Sequence, residues 1–391
     1  MKQKALSLLL ALAMMVSLAA CTQTTPSASP SASGSPEPSV SQTPSAQPSE
    51  EGTADTVMFT DSCGRTVELP AQIDRIAPSG PMAQIVLFAL CPDKFVGLAS
   101  EWDAEADQYI DTEYYNLPTL GQLYGSSAGE LNLESLAAAD PQVIIDIGQP
   151  KDSIVEDMDA ITEQLGIPAV HIGAYTATMG DTYRMLGELL GMEEEAAVIA
   201  DYCDEIYGET VAMMETIGDN KANILYCLGD KGLNVIARDS YHAEVIDLLT
   251  NNLAVVDSPS SKGTGNEADM EQLLLWNPDI IIFAPDSYYD QVADDPVWQD
   301  LTAIQNGDYY EVPFGPYNWM GFPPSVNRYL GMLWMGALLY PDQIDYDLYT
   351  EVARYYDIFY HCDLTQEQFD ALTSRIVAMS FCEPRSCPGA L

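Results

Sequence analysis

The sequence predicts an α/β protein: two Rossmann-like lobes with parallel-rich sheets, joined by one long rigid α-helix, with a ligand cleft between them. Three observations predict it. One short phrase occurs twice, as Leu133-Glu134-Ser135-Leu136, Asp140-Pro141, Val143-Ile144-Ile145 and as Met270-Glu271-Gln272-Leu273, Asn277-Pro278, Ile280-Ile281-Ile282, at a constant offset of 137 residues (271 − 134). Strand-like and helix-like runs alternate in both halves, the pattern of βα units with parallel sheets. Between the copies, residues 193–217 keep helical apolar spacing with no proline and only Gly208, so they read as the connector between lobes.

Each copy of the phrase reads as a short helix that stops before a proline and feeds a strand. Proline cannot continue the helix, and it pushes the residue before it to extended geometry. A continuous Val/Ile run is what a strand covered on both faces requires. The glutamates have two explanations. An acid in the first helical turn is favoured by the macrodipole, or Glu134 and Glu271 are a matched pair with one role in each lobe.

The remaining elements follow in order. Lys2 and Lys4 precede an apolar run, residues 5–20, that ends Leu18-Ala19-Ala20-Cys21. A basic start, a short apolar core and small residues before the break make a secretory signal, too short for a spanning helix. Residues 22–54 are mostly Ser, Thr, Pro, Ala and Gln without apolar period, the composition of a disordered linker. Val57 to Pro70 alternates around Gly64 and reads as a hairpin, and Arg75 to Pro78 as a strand end. Ser79-Gly80-Pro81 opens a helix that runs to Leu90, and Phe95 to Leu98 reads as a strand. After the first phrase come a helix over 153–166 stopped by Gly166, a strand from Pro168 to Ile172, and a helix from Thr182 to Leu190. The second series holds a strand over 222–227, a helix over 241–249, the second phrase, a strand over 308–313, a long helix over 324–339 and a helical tail over 347–372. The expected organisation is signal 1–20, lipidated Cys21 and linker 21–55, N-terminal lobe 56–192, connecting helix 193–217 and C-terminal lobe 218–391.

Charge narrows the function classes. Fifteen basic against 59 acidic residues give −44. Such a surface argues against nucleic acid and against broad contact with anionic lipid. It suits an exported protein, or one that pairs with basic loops of a membrane partner. Of eight cysteines, seven follow Cys21, and Cys382 with Cys387 is the local pair most suited to a disulfide. His171, His242 and His361 lie far apart, which does not suit direct capture of a bare metal ion.

The residues gathered so far resemble the class III (helical-backbone) substrate-binding proteins of bacterial ABC importers, which include those for ferric siderophores, haem and cobalamin. The resemblance runs from Asp61 to Leu372. Its marks are Asp61-Ser-Cys-Gly64-Arg65-Thr-Val67-Glu-Leu-Pro70 with Arg75-Ile76, Asn132-Leu-Glu134 through Pro141, Leu165-Gly-Ile-Pro168, the Glu271 phrase, Leu339-Tyr-Pro341 and Asp363-Leu-Thr365. Leu18-Ala19-Ala20-Cys21 resembles a bacterial lipobox, which implies cleavage before Cys21, diacylation of its thiol and a lipid anchor on the extracytoplasmic face of the membrane. The family resemblance implies that Glu134 and Glu271 dock with arginines of the ABC permease. It also implies a monomer that closes only slightly and needs no cofactor.

Ligands of open α/β sheets sit outside the carboxyl ends of the strands. That rule selects Ser79, Gly80, Trp102, Tyr124 and Gln149 in the first lobe, and Arg238, Tyr241, His242, Tyr317, Asn318 and Trp319 in the second. Tyr317 and Trp319 suit stacking on a planar or macrocyclic ligand, and Arg238 suits a carboxylate or oxyanion. His242 suits a haem or corrinoid axial contact, or simply a hydrogen bond. Three readings compete: a binder of an iron chelate, haem or corrinoid; the same machinery with an oxyanion such as molybdate; and an extracellular enzyme. Against the enzyme, the sequence has no Gly-x-Ser-x-Gly elbow, HExxH motif or P-loop.

Overall fold

The computed structural model describes residues 56–124 and 131–374. The signal, Cys21, the linker, Cys382 and Cys387 lie outside the described residues. The body opens with the expected hairpin, β1 (Thr56–Thr60) and β2 (Thr66–Pro70), in antiparallel register from Thr56–Pro70 to Thr60–Thr66. Its turn is held by Asp61, whose Oδ1 accepts the N–H groups of Cys63 and Arg65 at 3.0 Å, with Gly64 at φ +77°.

The first lobe holds β3 (Ile76–Pro78), α1 (Pro81–Leu90), the short α2 (Thr112–Tyr115), α3 (Leu133–Ala139), β4 (Val143–Gly148), α4 (Ile154–Leu165), β5 (Ala169–Gly173) and α5 (Met179–Leu190). Its sheet has the order β3-β4-β5, all parallel, and every residue of β4 is buried. Phe95 to Leu98 makes only single bridges, Phe95 beside Ile76 and Leu98 beside Thr119. The chain crosses from one neighbour to the other within four residues, too few for a ladder.

Helix α6 (Glu193–Ile217) follows α5 after Gly191 and Met192. Its 25 residues span about 37 Å at 1.5 Å per residue. Ala196, Ile199, Ala200, Cys203, Ile206, Thr210, Met214 and Ile217 are its buried stripe, the spacing of one helix face.

The second lobe holds β6 (Asn223–Leu228), β7 (Asn234–Val235), α7 (Glu244–Leu249), β8 (Asn251–Asn252), β9 (Asn266–Glu267), α8 (Met270–Trp276), β10 (Ile280–Phe283), the short α9 (Tyr289–Val292) and α10 (Thr302–Asn306), and β11 (Tyr309–Glu311). Helices α11 (Arg328–Leu339), α12 (Leu348–Tyr360) and α13 (Gln366–Leu372) complete it. The sheet order is β11-β10-β6-β7-β9 with β8 also beside β6; β10 is parallel to both neighbours, while β7 and β9 are antiparallel.

Several boundaries differ from expectation: α5 starts at Met179 rather than Thr182, α7 at Glu244 rather than 241, β11 is shorter than 308–313, and two further differences have a plain cause. The long helix starts at Arg328, not 324, because Ser325 and Val326 accept from Arg328 and Tyr329 in i→i+3 turns before the helical ladder begins. The tail is two helices. His361 in the left-handed conformation (φ +54°) ends α12, and Thr365 with Gln368 forms a capping box that starts α13.

The largest apolar cluster runs without a break from first-lobe residues such as Phe88, Ile145 and Tyr183, through Tyr202 of α6, to Tyr226, Trp334 and Tyr355. The outer faces of the two sheets have separate clusters. Helix α12 packs on both α1 and α11, so a second helix besides α6 spans the lobes. A close-packed interior shared in this way resists bending between its parts.

Candidate functional site

Helices α3 and α8 are near-duplicates in physical detail. Each has seven residues. Each is capped at its start by a side-chain oxygen: Asn132 accepts the N–H of Ser135 at 2.9 Å, and Asp269 that of Gln272 at 2.8 Å. Each ends on a left-handed residue, Asp140 (φ +50°) or Asn277 (φ +40°), followed by proline and a central strand. Leu136 and Leu273 are the buried anchors, and Glu134 and Glu271 are exposed at the second helical position. Each helix leads into its strand from the strand's amino end. An exposed carboxylate in the capped first turn is common to both helices. The macrodipole favours both carboxylates there as well, so the two explanations of the repeat are compatible.

The carboxyl ends of β3, β4 and β5 bring Ser79, Asp146 and His171 into one buried trio. The Ser79 hydroxyl donates to Asp146 Oδ1, and Asp146 Oδ2 lies 2.7 Å from His171 Nδ1. Gly80 is fixed by space: an added Cβ would lie 3.0 Å from the Tyr124 carbonyl oxygen. The Tyr124 hydroxyl donates to Asp157 at 2.5 Å, and the Lys151 ammonium sits 3.0 Å from the centre of the Tyr124 ring. Burial holds the Lys151 pKa below the usual lysine range, and it pushes the Tyr124 phenol up, helped by the bond to Asp157.

Second-lobe groups close over this wall. The Tyr241 hydroxyl donates to the Ala174 carbonyl at 2.9 Å and touches Met82 Sδ at 3.7 Å. Burial pushes its phenol up to about 12. His242 stacks on Phe322 with ring centroids 5.1 Å apart. Burial, then the neighbouring Arg328 charge, pushes its imidazole down to about 4. Tyr317 lies 5.8 Å from Trp102, and Gln84 Nε2 donates to its hydroxyl at 3.5 Å. Thus Ser79, Gly80, Trp102, Tyr124, Tyr241, His242 and Tyr317 are brought to the junction of the lobes.

Three other sequence-selected residues stand elsewhere, and Gln149 stays at its strand end. Arg238 turns away from the cleft: its Nη2 donates to Asn251 Oδ1 at 2.7 Å and to the Asn252 carbonyl, at the amino ends of β8 and β6. Trp319 is wholly buried in the core, and Asn318 is a structural clamp, donating to Tyr226 Oη at 3.1 Å and accepting from Met320 N at 2.7 Å. Gln149 is exposed just past the end of β4.

Sequence alone does not select Asp146 or Arg328 as site residues, and it offers His171 only as a metal ligand unsuited by its spacing. An acid inside an otherwise apolar strand was the available signal for Asp146. Arg328 is buried, with Nη1 2.5 Å from Glu244 Oε2 and 3.1 Å from Thr176 Oγ1, and Nη2 on the Tyr241 carbonyl. Glu244 also accepts from Thr176 N at 3.1 Å and Thr176 Oγ1 at 2.6 Å, which ties the second lobe to the first. Among the described residues, no group of three or more His, Cys, Asp or Glu is arranged to hold a metal ion, and no helix is long and apolar enough to cross a membrane.

Comparison with known proteins agrees with this architecture. Residues 105–315, more than half of the chain, match the family model described as periplasmic binding protein. The chain is 22% identical over 188 residues to the Fe(3+)-citrate-binding protein of Bacillus subtilis, an alignment covering 46% of this chain and 56% of that relative. It spans, then, only about half the length of the curated relative it matches. Among solved structures, an ABC transporter solute binding protein from Sulfurospirillum deleyianum is 26% identical with a TM-score of 0.73, over 81% of this chain and 99% of that one. A periplasmic solute binding protein from Veillonella parvula is 26% identical with a TM-score of 0.69, over 82% and 98%. The molybdate periplasmic binding protein of Haemophilus influenzae shares the fold at 20% identity and a TM-score of 0.63, over 79% and 99%. The chain belongs to the periplasmic binding protein family, in its class III form of two α/β lobes on a helical backbone.

Proposed function

We propose that this chain is the lipid-anchored, extracytoplasmic solute-binding component of an ABC importer, and that its cargo is a ferric chelate of the citrate or siderophore type. The observation that carries the transporter reading is the matched pair of capped helices with exposed Glu134 and Glu271, one per lobe. Two carboxylates on rigid helices suit charge-assisted pairing with arginines of a permease. The lipobox-like Leu18-Ala19-Ala20-Cys21 supports the anchor, and the overall −44 charge supports a basic rim on the partner.

The cargo reading is supported by the ferric-citrate-binding relative and by the chemistry of the cleft wall. Trp102, Tyr124, Tyr241 and Tyr317 offer aromatic rings at the junction, while the Tyr124 and Tyr241 O–H groups are already given to Asp157 and to the Ala174 carbonyl. Lys151 supplies a partly desolvated cation, which suits the carboxylate oxygens of a chelate that carries its own metal ligands. Haem or a corrinoid would use the same rings. The oxyanion alternative has less support. The start of α1 already faces the Asp146 carboxylate through Ser79, and Tyr124 closes on Gly80.

Titration of the mature protein with ferric citrate, haem, cyanocobalamin and molybdate, followed by tryptophan fluorescence, tests the cargo. Saturable change with ferric citrate and none with molybdate is expected, since Trp102 lies against Tyr317 at the junction. Saturation by molybdate alone contradicts the cargo reading.

A further inference from the structure

The two glutamate helices share a frame but not a surface. On an α-helix, positions three and four residues after an exposed residue lie on its face. After Glu271 these are Leu274 and Leu275, 37% and 77% exposed. After Glu134 the positions related by the same 137-residue offset are Ala137 and Ala138, also exposed. Beside Ala138 the first lobe is hollow: Arg75, Thr119 and Ser135 line a recess of about 500 Å³ together with apolar groups such as Phe95, Leu120 and Ala138. So one lobe carries an apolar projection next to its glutamate, and the other carries a recess of mixed polar and apolar lining next to its own.

We infer that this face is matched in charge and opposite in relief, and that it fits a membrane permease presenting two unlike surfaces. Where lobe two lands, the partner has an apolar hollow for Leu274 and Leu275. Where lobe one lands, it has a projecting side chain that enters the recess at Ala138. The inference rests on the docking role proposed for Glu134 and Glu271, because it takes its occupant from continuity with those carboxylates. Charge selects the same occupant. A Leu275 projection entering the Ala138 recess of a second copy would build a head-to-tail contact, but it would bring together two chains of −44 each. A partner with a basic rim has no such penalty. The consequence is directional: the protein sits on its transporter in one of the two orientations that a pair of identical glutamates alone would allow.

Site-specific photocross-linking tests it. A benzophenone amino acid is placed at Gln272, Ala138 or Leu275 of the full-length chain in its own cells, and the cross-linked peptides are identified by mass spectrometry. All three positions are expected to reach a membrane-spanning permease polypeptide, with Ala138 and Leu275 reaching segments of different sequence. Leu275→Ala is expected to lower the cross-linking yield at Gln272 about tenfold, the effect of one leucine side chain losing its burial. If Gln272 reaches the permease but Ala138 and Leu275 reach the same segment, or Leu275→Ala leaves the yield unchanged, the directional inference is overturned and the docking role of the glutamates stands. If no position reaches a permease, or all reach a second copy of this chain, both are overturned.

Discussion

The two lobes set one helix in two different surroundings. In lobe one, α3 feeds the middle of a three-stranded, all-parallel sheet. In lobe two, α8 feeds β10 in a six-stranded mixed sheet whose far edge is antiparallel. The capped start, buried leucine, left-handed end and proline are the same in both. The polar chemistry is not. In lobe one Asp146 bridges Ser79 and His171, whose Nε2 alone has no partner, while His242 of lobe two has no carboxylate partner, leaves Nδ1 unpartnered and stacks on Phe322. The difference teaches that the frame placing each glutamate is local and self-contained, so the sheet and the cleft wall behind it are free to diverge.

The largest expected effect breaks the equivalence of the glutamates. Replacing both Glu134 and Glu271 by alanine should reduce cargo uptake by cells at least a hundredfold, as expected from losing two charge-assisted contacts of about 1.5 kcal/mol or more each. Either single change should cost roughly the square root of that, and cargo affinity should not move. Unequal single effects would sharpen the comparison by showing which lobe dominates docking.

Next is the tie between lobes. Arg328→Met leaves Glu244 and Thr176 of the junction without their cation. Because Arg328 is buried and Glu244 about a quarter exposed, a loss of about 3 kcal/mol in urea unfolding is expected, at the low end for a broken buried pair. Unchanged stability would mean that the lobes do not depend on this bridge.

A smaller effect concerns pH. The imidazole of His242 titrates near 4 in the folded chain against an ordinary value of 6.5. Between these values the unfolded chain binds the proton and the folded chain does not, so stability falls as pH drops through that window. From pH 7 to 5 this contributes about 2 kcal/mol of destabilisation. Urea titrations at both pH values should show that much less pH dependence in His242→Gln than in the unaltered protein.

The smallest effect tests the frame itself. Asn132→Ala and Asp269→Ala each remove one cap bond and should each cost about 1 kcal/mol. Equal losses, read by thermal unfolding, are expected; a loss at only one position would show that the two helices are alike in form but not in energetics.

What the sequence made legible was the local part. The repeat, the Gly64 hairpin, the Gly166 stop and the uninterrupted run over 193–217 are written in neighbouring residues, and the structure follows them closely. The cleft was half legible. Rules about strand ends found Ser79 and Tyr241, but Asp146 and His171 join Ser79 only because β3, β4 and β5 are adjacent, an order that pattern alone does not give. Arg238 and Trp319 misled for a related reason. Whether a loop side chain turns to the cleft or into the core depends on partners far along the chain, such as Asn252 for Arg238. The start of α11 differs for a local reason instead, because Ser325 and Val326 first make i→i+3 turns.

The most direct measurement is the affinity of the mature protein for its permease held in lipid nanodiscs, compared between the unaltered chain and Glu134→Gln/Glu271→Gln, with ferric-citrate affinity measured on the same samples. A permease Kd raised about a hundredfold or more, with ferric-citrate binding unchanged, is the predicted result. An unchanged permease Kd, or an equal loss of both affinities, would contradict the claim that the paired helices are the docking face.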